Sequence, residues 1–365
     1  MPHHPHYPNS RKGRWLVIVM IALGIAAGVT SVLYWRFYTT ELDRVLSDAG
    51  TDSTEIAPAN DQALADLSQR VNRALEAGTP ERIQKDVEIF AIQHPHQPDA
   101  QTLLGQVLLY QGDLAGSYTQ FKTSLRINNA QPEVHLLAGS ICMQLDQHDQ
   151  AEVHYRNAIN LDPSNHRFRL HLAACYTSQK RLDDARILLM SLVNQDSSAH
   201  DAYAMLSKLY YTQNKLDMAM TQITKALDSI PISNRQQAII YVRHMAAILR
   251  RMNKPGEALQ VLESKLTETE RSDPVVIDDM AMCFSMQNQF EAAALLFEEA
   301  LQTSPTNWRL AANAVRWWHK AGESGKARLG IDRIRKIAPN SPAAPLLESM
   351  LNQSPASVHQ EEVDH

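Results

Sequence analysis

Cys142, Cys175 and Cys283 are the chain's thiols, and no two of them form a CxxC. Three cysteines cannot all pair with one another, so neither a disulfide framework nor a thiolate zinc site follows. Histidine is the other ready metal ligand. His94 and His96 flank Pro95, and His166 and His171 are spaced for one helix, yet neither pair has a third ligand at metal-site spacing. His3, His4 and His6 stand among prolines and read as part of a short disordered tail. HExxH, GxxxxGK[ST], GxSxG and GxGxxG are all missing, and the carboxylates are scattered without a facing pair. The expectation is a protein with no catalytic centre, no cofactor and no metal, and so not an enzyme. The balance of 35 basic and 40 acidic residues, without a long patch that interleaves bases and aromatics, also argues against nucleic acid. What stands out instead is a crowding of arginine and lysine towards the C-terminal end.

The elements that carry those cations follow from the apolar pattern. Residues 15–35, WLVIVMIALGIAAGVTSVLYW, contain no charge. At about 1.5 Å per residue this run makes about 31 Å of helix, enough to span a hydrocarbon core. Trp15, Tyr34 and Trp35 sit at its ends, where amphipathic rings prefer the interfaces. A cleaved signal peptide would be shorter and end in small residues. The run is therefore read as a single transmembrane helix. Arg11, Lys12 and Arg14 precede it, against Arg36 and Arg44 after it, which places the N-terminus in the cytoplasm. In a bacterial inner membrane the rest of the chain would face the periplasm. Residues 1–14 are expected to be a disordered tail, and 36–60 a polar linker.

Beyond the linker the sequence repeats. Sliding residues 135–163 forward by 34 lays Ala151 on Ala185 and then Ala219. Units begin at Leu64, Pro98, Pro132, His166, His200, Ile239, Pro274 and Trp308, with an insertion around Ser233 to Ala238 and one extra residue before Pro274. Position 8 is small in six units (Gly105, Gly139, Ala173, Ser207, Ala246, Ala281), and holds Val71 and Val315 in the first and last. Position 20 is small in seven (Ser117, Ala151, Ala185, Ala219, Ala258, Ala293, Ala327), with Ile83 in the first. Position 24 is a large knob throughout: Val87, Phe121, Tyr155, Leu189, Ile223, Leu262, Phe297 and Ile331. Position 32 is proline at Pro95, Pro163, Pro231, Pro305 and Pro339, and is replaced by Asn129, Ser197 and Glu270. A 34-residue, two-helix period with these small and large positions resembles the tetratricopeptide repeat. The resemblance is weakest in the first unit, where a terminal cap is expected to depart. It implies an all-α, right-handed α-solenoid of about eight hairpins over residues 61–341, preceded by the transmembrane helix. Residues 342–351 read as a capping helix and 352–365 as a disordered acidic tail.

In that family, positions 2, 5, 9, 12 and 13 of each first helix line a concave groove that holds a peptide or helix. Here they give the candidate binding residues Tyr110, Lys208, Tyr211, Arg243, Arg250, Arg251, Arg309, Arg316 and Lys320. The basic stretch suits an acidic peptide or a carboxylate. The plainer alternative is that these arginines pair with Asp278, Asp279 and Glu323, or are simply solvated. Position 5 holds no lysine in any unit, so the clamp by which some family members grip a carboxylate terminus is absent. Trp318 and Tyr210 fall on core positions, whereas Trp317 and Tyr211 are the more exposed of each pair. The cysteines fall at positions 10 or 11, which favours core thiols. The function expected is a membrane-tethered scaffold that binds protein or peptide partners and assists assembly of an envelope or membrane complex. Two alternatives stay open: a regulatory or substrate-recruiting subunit of a membrane-associated enzyme complex, and the same scaffold facing the cytoplasm. Self-association through a terminal unit also stays open.

Overall fold

The computed structural model describes residues 59–352. The N-terminal tail, the apolar run at 15–35, the linker up to residue 58 and the tail from residue 353 lie outside the described residues. Among the described residues all regular structure is helical, with no strand. None of these helices is long and apolar enough to cross a membrane. The described residues divide into two compact units, the first ending at Phe168 and the second beginning at Arg169.

The first unit contains α1 (Ala59–Glu76), α2 (Glu81–Gln93), α3 (Pro98–Tyr110), α4 (Leu114–Ile127), α5 (Pro132–Gln144) and α6 (His148–Leu161). α7 (His166–Ser178) carries the division. The second unit continues with α8 (Leu182–Gln195), α9 (His200–Thr212), α10 (Leu216–Ser229), α11 (Arg235–Arg251) and α12 (Pro255–Lys265). It ends with α13 (Glu268–Arg271), α14 (Pro274–Met286), α15 (Phe290–Thr303), α16 (Trp308–Lys320), α17 (Ser324–Ile337) and α18 (Ala343–Leu351). The expected hairpins are all present. The first described helix begins at Ala59, and Ala344 and Leu347 of α18 are buried against the last hairpin.

The repeat positions explain the packing. Position 24 inserts between the helices of its own hairpin, and all eight of its residues are buried. Opposite Phe121 and Tyr155 position 8 is glycine, whereas opposite Phe297 it is Ala281. A Cβ on Gly105 would stand 2.6 Å from the Phe121 ring, and one on Gly139 would stand 2.6 Å from Tyr155. Where position 8 is Val315, the space comes from Gly330 on the partner helix, whose Cβ would fall 2.4 Å from Val315. In the first hairpin Val71 faces the smaller Val87, and both are fully buried. The departures at the two ends are therefore volume exchanges that keep the core filled. Serine at these contacts bonds across the hairpin: Ser117 Oγ donates to the Gly105 carbonyl and Ser207 Oγ to the Ala219 carbonyl, each at 2.7 Å.

Each hairpin turns through one left-handed residue at position 15: Gly78, Gly112, Asp146, Lys180, Asn214, Asn253, Asn288 and Gly322. The next amide reaches back five residues, as in Asp113 to Leu108 (2.9 Å) and Lys215 to Tyr210 (2.9 Å), closing the helix end. Glycine and asparagine tolerate this conformation, whereas lysine has no local hydrogen bond to offset its Cβ clash. Lys180→Gly is therefore expected to stabilise the protein by about 1 kcal/mol, a net of relieved strain over added unfolded-state freedom. A urea midpoint unchanged or lowered by this substitution would contradict it.

The insertion near Ser233 is neither a hinge nor a simple loop. Residues 235–238 add a turn to the start of α11, which runs for 17 residues where α9 has 13. Arg235, in that turn, donates a fork to Glu270 (Nε 2.7 Å, Nη2 2.6 Å) and a further bond to the Lys265 carbonyl (2.9 Å). Glu270 also closes a capping box with Thr267 at the start of α13. The Arg235 fork, with the Thr267 bonds, holds the Glu270 carboxyl at a pKa of about 2. Glu270 occupies position 32, so this fork replaces the helix-ending proline of other units.

Candidate functional site

In the second unit, successive first helices α9, α11, α14 and α16 meet through residues at or beside the expected groove positions. Lys208 and Tyr211 lie a turn apart on α9. The His244 ring, from α11, meets Tyr211 edge-on at 5.6 Å between centroids. Arg251, at the end of α11, lies 4.6 Å over the Tyr211 ring and donates Nη1 to the Tyr211 carbonyl at 3.1 Å. Lys208 is open to solvent but hemmed in by protein, and this crowding lowers its pKa, with Asp201 pulling the other way. Asp201 accepts the Tyr241 hydroxyl at 2.6 Å. His244 is held neutral, its pKa lowered to about 4 by burial and then by Lys208.

His244 Nε2 lies 3.1 Å from Ser207 Oγ, a spacing that elsewhere marks a nucleophile and its base. Ser207 is fully buried and gives its proton to the Ala219 carbonyl. Its oxygen is therefore left to accept from His244. The pair holds α11 against α9 and presents no free hydroxyl.

The next two arginines have a different fate. Asp279, on α14, accepts Arg243 Nε at 2.6 Å and Arg250 Nη2 at 2.9 Å, and its carbonyl accepts Arg250 Nη1 at 3.1 Å. Its side chain is 13 % exposed, and those of the arginines 28 % and 16 %. Arg243 and Arg250 are thus spent inside the protein, one half of the alternative foreseen in the sequence. Of the other carboxylates named there, Glu323 meets Lys326 at 3.9 Å, and the remaining arginines of α16 are exposed to solvent. Asp278 accepts Asn313 Nδ2 at 3.1 Å, and Asn313 Oδ1 accepts Arg316 Nη1 at 2.9 Å. Burial, and then Asp279, raise the Asp278 pKa, while Arg243 and Arg316 oppose this.

Arg316 and Arg309 are exposed on α16, as is Lys320. Arg309 lies 5.4 Å from the Trp308 ring and Lys320 5.2 Å from Trp317. Trp318 is buried, and Trp317 is partly buried with its ring stacked on Phe290. Tyr110 belongs to the first unit. It packs against the core of the first two hairpins, its hydroxyl 3.5 Å from where a Cβ on Gly78 would lie, and so is a packing residue at least as much as a surface one. The three cysteines are buried, as expected of core thiols.

Two residues missed in the sequence, His244 and Asn313, share a register position with Asp279, the carboxylate already named as a partner of these arginines. His244, Asp279 and Asn313 all stand at position 6, where Leu103 and Leu137 occur earlier in the chain. Each reaches back to the preceding hairpin: to Ser207, to Arg243 and Arg250, and to Asp278 respectively. Position 6 is also polar at Gln69 and His171, so the available signal was a polar residue there in three successive units. The first unit has its own unforeseen cluster. His135 and His154 share one hydrogen bond between Nδ1 atoms at 3.1 Å, and His154 Nε2 lies 3.3 Å from the Tyr118 hydroxyl. Burial, and then the neighbouring Cys142 thiol, push the Tyr118 phenol up to about 12. No group of three or more possible metal ligands occurs among the described residues.

Known proteins agree with the hairpin register. Family models described as tetratricopeptide repeat match residues 142–209 and 284–351, and a second such model matches 200–232. Tetratricopeptide repeats are therefore present in the chain. No curated protein matches it. Among solved structures, PilF of Pseudomonas aeruginosa is 17% identical over 61% of this chain and 98% of its own, with a TM-score of 0.45. A tetratricopeptide repeat protein from Parabacteroides merdae is 16% identical over 70% of this chain and 99% of its own, with a TM-score of 0.49. Naa15/Naa10 bound to HypK is 18% identical over 80% of this chain, at a TM-score of 0.41, and the chain spans 44% of that protein's length.

Proposed function

We propose that this chain, built of tetratricopeptide repeats, is a scaffold that binds an acidic peptide segment of a partner protein on the first-helix face of its second unit. One observation carries the reading. Lys208, Arg251, Arg309, Arg316 and Lys320 share that set of helices, and none of them forms an ion pair among the described residues. Arg243 and Arg250 are held by Asp279 and stand outside this set. A carboxylate-bearing segment laid along this face gains charge-assisted bonds without breaking an internal pair. Tyr211 adds an aromatic surface that Arg251 already orients. Tyr110 is left out of this site.

The apolar run at 15–35 supports a membrane tether, and the flanking charges support a repeat array outside the cytoplasm, where it would assist an envelope or membrane complex. A reporter fused after residue 351, active only in the compartment where it lies, decides between the two orientations. The scaffold acts by holding rather than by reacting.

The binding claim is tested with the full-length protein and a labelled octaglutamate peptide by fluorescence anisotropy. Arg316→Glu with Lys320→Glu is expected to weaken binding at least about tenfold, and moderate salt to weaken it further. Equal affinity of wild type and double variant would rule the face out. Photo-crosslinkers placed in cells at Tyr211 and Arg316, with Ile187 and Leu295 as controls on second helices, would then identify the partner.

A further inference from the structure

We infer that the chain carries its own competitor for this face: the acidic segment Glu361–Asp364 occupies the cations of α16 when no partner is bound. The inference rests on the binding reading above and deepens it. α16 contains Arg309, Arg316 and Lys320 and no carboxylate of its own. The cations of α17 are differently placed. Lys326 holds Glu291 at 3.1 Å, Arg333 holds Glu298 at 2.8 Å, and Arg335 holds Glu348 at 2.6 Å. Arg328 and Lys336 of α17 are also exposed and form no ion pair among the described residues, but α16 offers three such cations spaced seven and four residues apart, on one helix face and with no carboxylate beside them.

The acidic segment starts close by. α18 packs onto α16 and α17, and its last residues, Met350 and Leu351, lie against the same core cluster as Trp317. Lys320 stands over the Trp317 ring. From Asn352 to Glu361 is nine residues, a reach of up to about 30 Å, whereas the 13 residues of α16 extend about 20 Å. Every cation of α16 is within reach. Glu361, Glu362 and Asp364 set three carboxylates against three cations, and residues 353–365 contain no lysine or arginine to oppose them.

Tethering supplies the affinity that three solvent-exposed ion pairs lack. A link of this length gives an effective concentration in the millimolar range, so a segment that binds with a Kd near 0.1 mM weakens a competing ligand about tenfold. The consequence is a threshold: a weak acidic ligand is refused, and a longer one that also engages Lys208 and Arg251 displaces the segment.

The test compares full-length wild type with the full-length variant Glu361→Gln, Glu362→Gln, Asp364→Asn, using octaglutamate at low salt. The variant is expected to bind about tenfold more tightly, and the difference to vanish at high salt. A photo-crosslinker at Val363 is expected to give an intramolecular product mapping to α16. Equal octaglutamate affinity in the two proteins, with binding still lost in Arg316→Glu/Lys320→Glu, would overturn the competitor and leave the binding face standing. No octaglutamate binding to either protein, with no product from Val363, would overturn both. A product joining two chains would assign the segment to a second copy and overturn the intramolecular arrangement.

Discussion

Asp279→Ala is expected to lower the stability of the second unit by about 3 kcal/mol, since removing one partner leaves buried charges uncompensated. Asp279 is the shared counter-charge of Arg243 and Arg250, and all three side chains are largely shielded from water. Asp278 adjoins the site and attenuates the loss, which keeps the figure at the lower end for a buried pair. The same substitution frees two guanidinium groups on the proposed binding face. Octaglutamate affinity should therefore rise, with a steeper salt dependence, while the urea midpoint falls. These opposite signs separate a framework carboxylate from a ligand-binding one. A drop of less than 0.5 kcal/mol, on the order of an ordinary surface substitution, or a fall in affinity, would contradict the assignment.

Acid is expected to destabilise both units through buried histidines, His154 with its neighbour His135 in the first and His244 in the second. Burial, then His135, then Lys122 lower the pKa of His154 to about 4, and burial and Lys208 do the same to His244. In the unfolded chain both titrate near 6.5. The unfolded state thus binds more protons between these values, so stability is flat above about pH 6.5 and falls as pH drops towards 4. At pH 5 the loss is about 2 kcal/mol for each histidine. The geometry gives the cause. His135 and His154 share a single proton between facing Nδ1 atoms, so a second proton in that gap makes one ring cationic and sets two N–H groups against each other, which breaks the bond. Urea midpoints at pH 7 and pH 5 measure this, and His154→Gln should remove about half of the difference. A wild-type midpoint that does not move between these pH values would refute it.

Most of the fold was legible because tetratricopeptide packing is local. Ala151, Tyr155 and Gly139 lie within 17 residues of one another, and their sizes alone say that two helices touch there and that a ring fills the gap. The same holds at the ends, where Val315 with Gly330 and Val71 with Val87 obey the volume rule while breaking the family pattern. The turn residues at position 15 were equally legible, since Gly112, Asn214 and Asn288 announce a left-handed backbone. Lys180 gave no such sign, and only its register with the others would have revealed it.

The candidate site was legible in outline only. Position in the repeat told which side chains share a face, because the helical period determines it. It could not tell which of those cations are free. Arg243 and Arg250 read like Arg251 and Arg316 in the sequence, yet Asp279 claims the first two from the following hairpin, 36 and 29 residues away. A carboxylate's reach across stacked helices depends on rotamer and spacing, which only the packed structure sets. The sequence by itself determined the hairpins, their core and the sign of the face. The tertiary structure decided which charges that face still has to offer, because pairing between hairpins is a long-range matter of geometry.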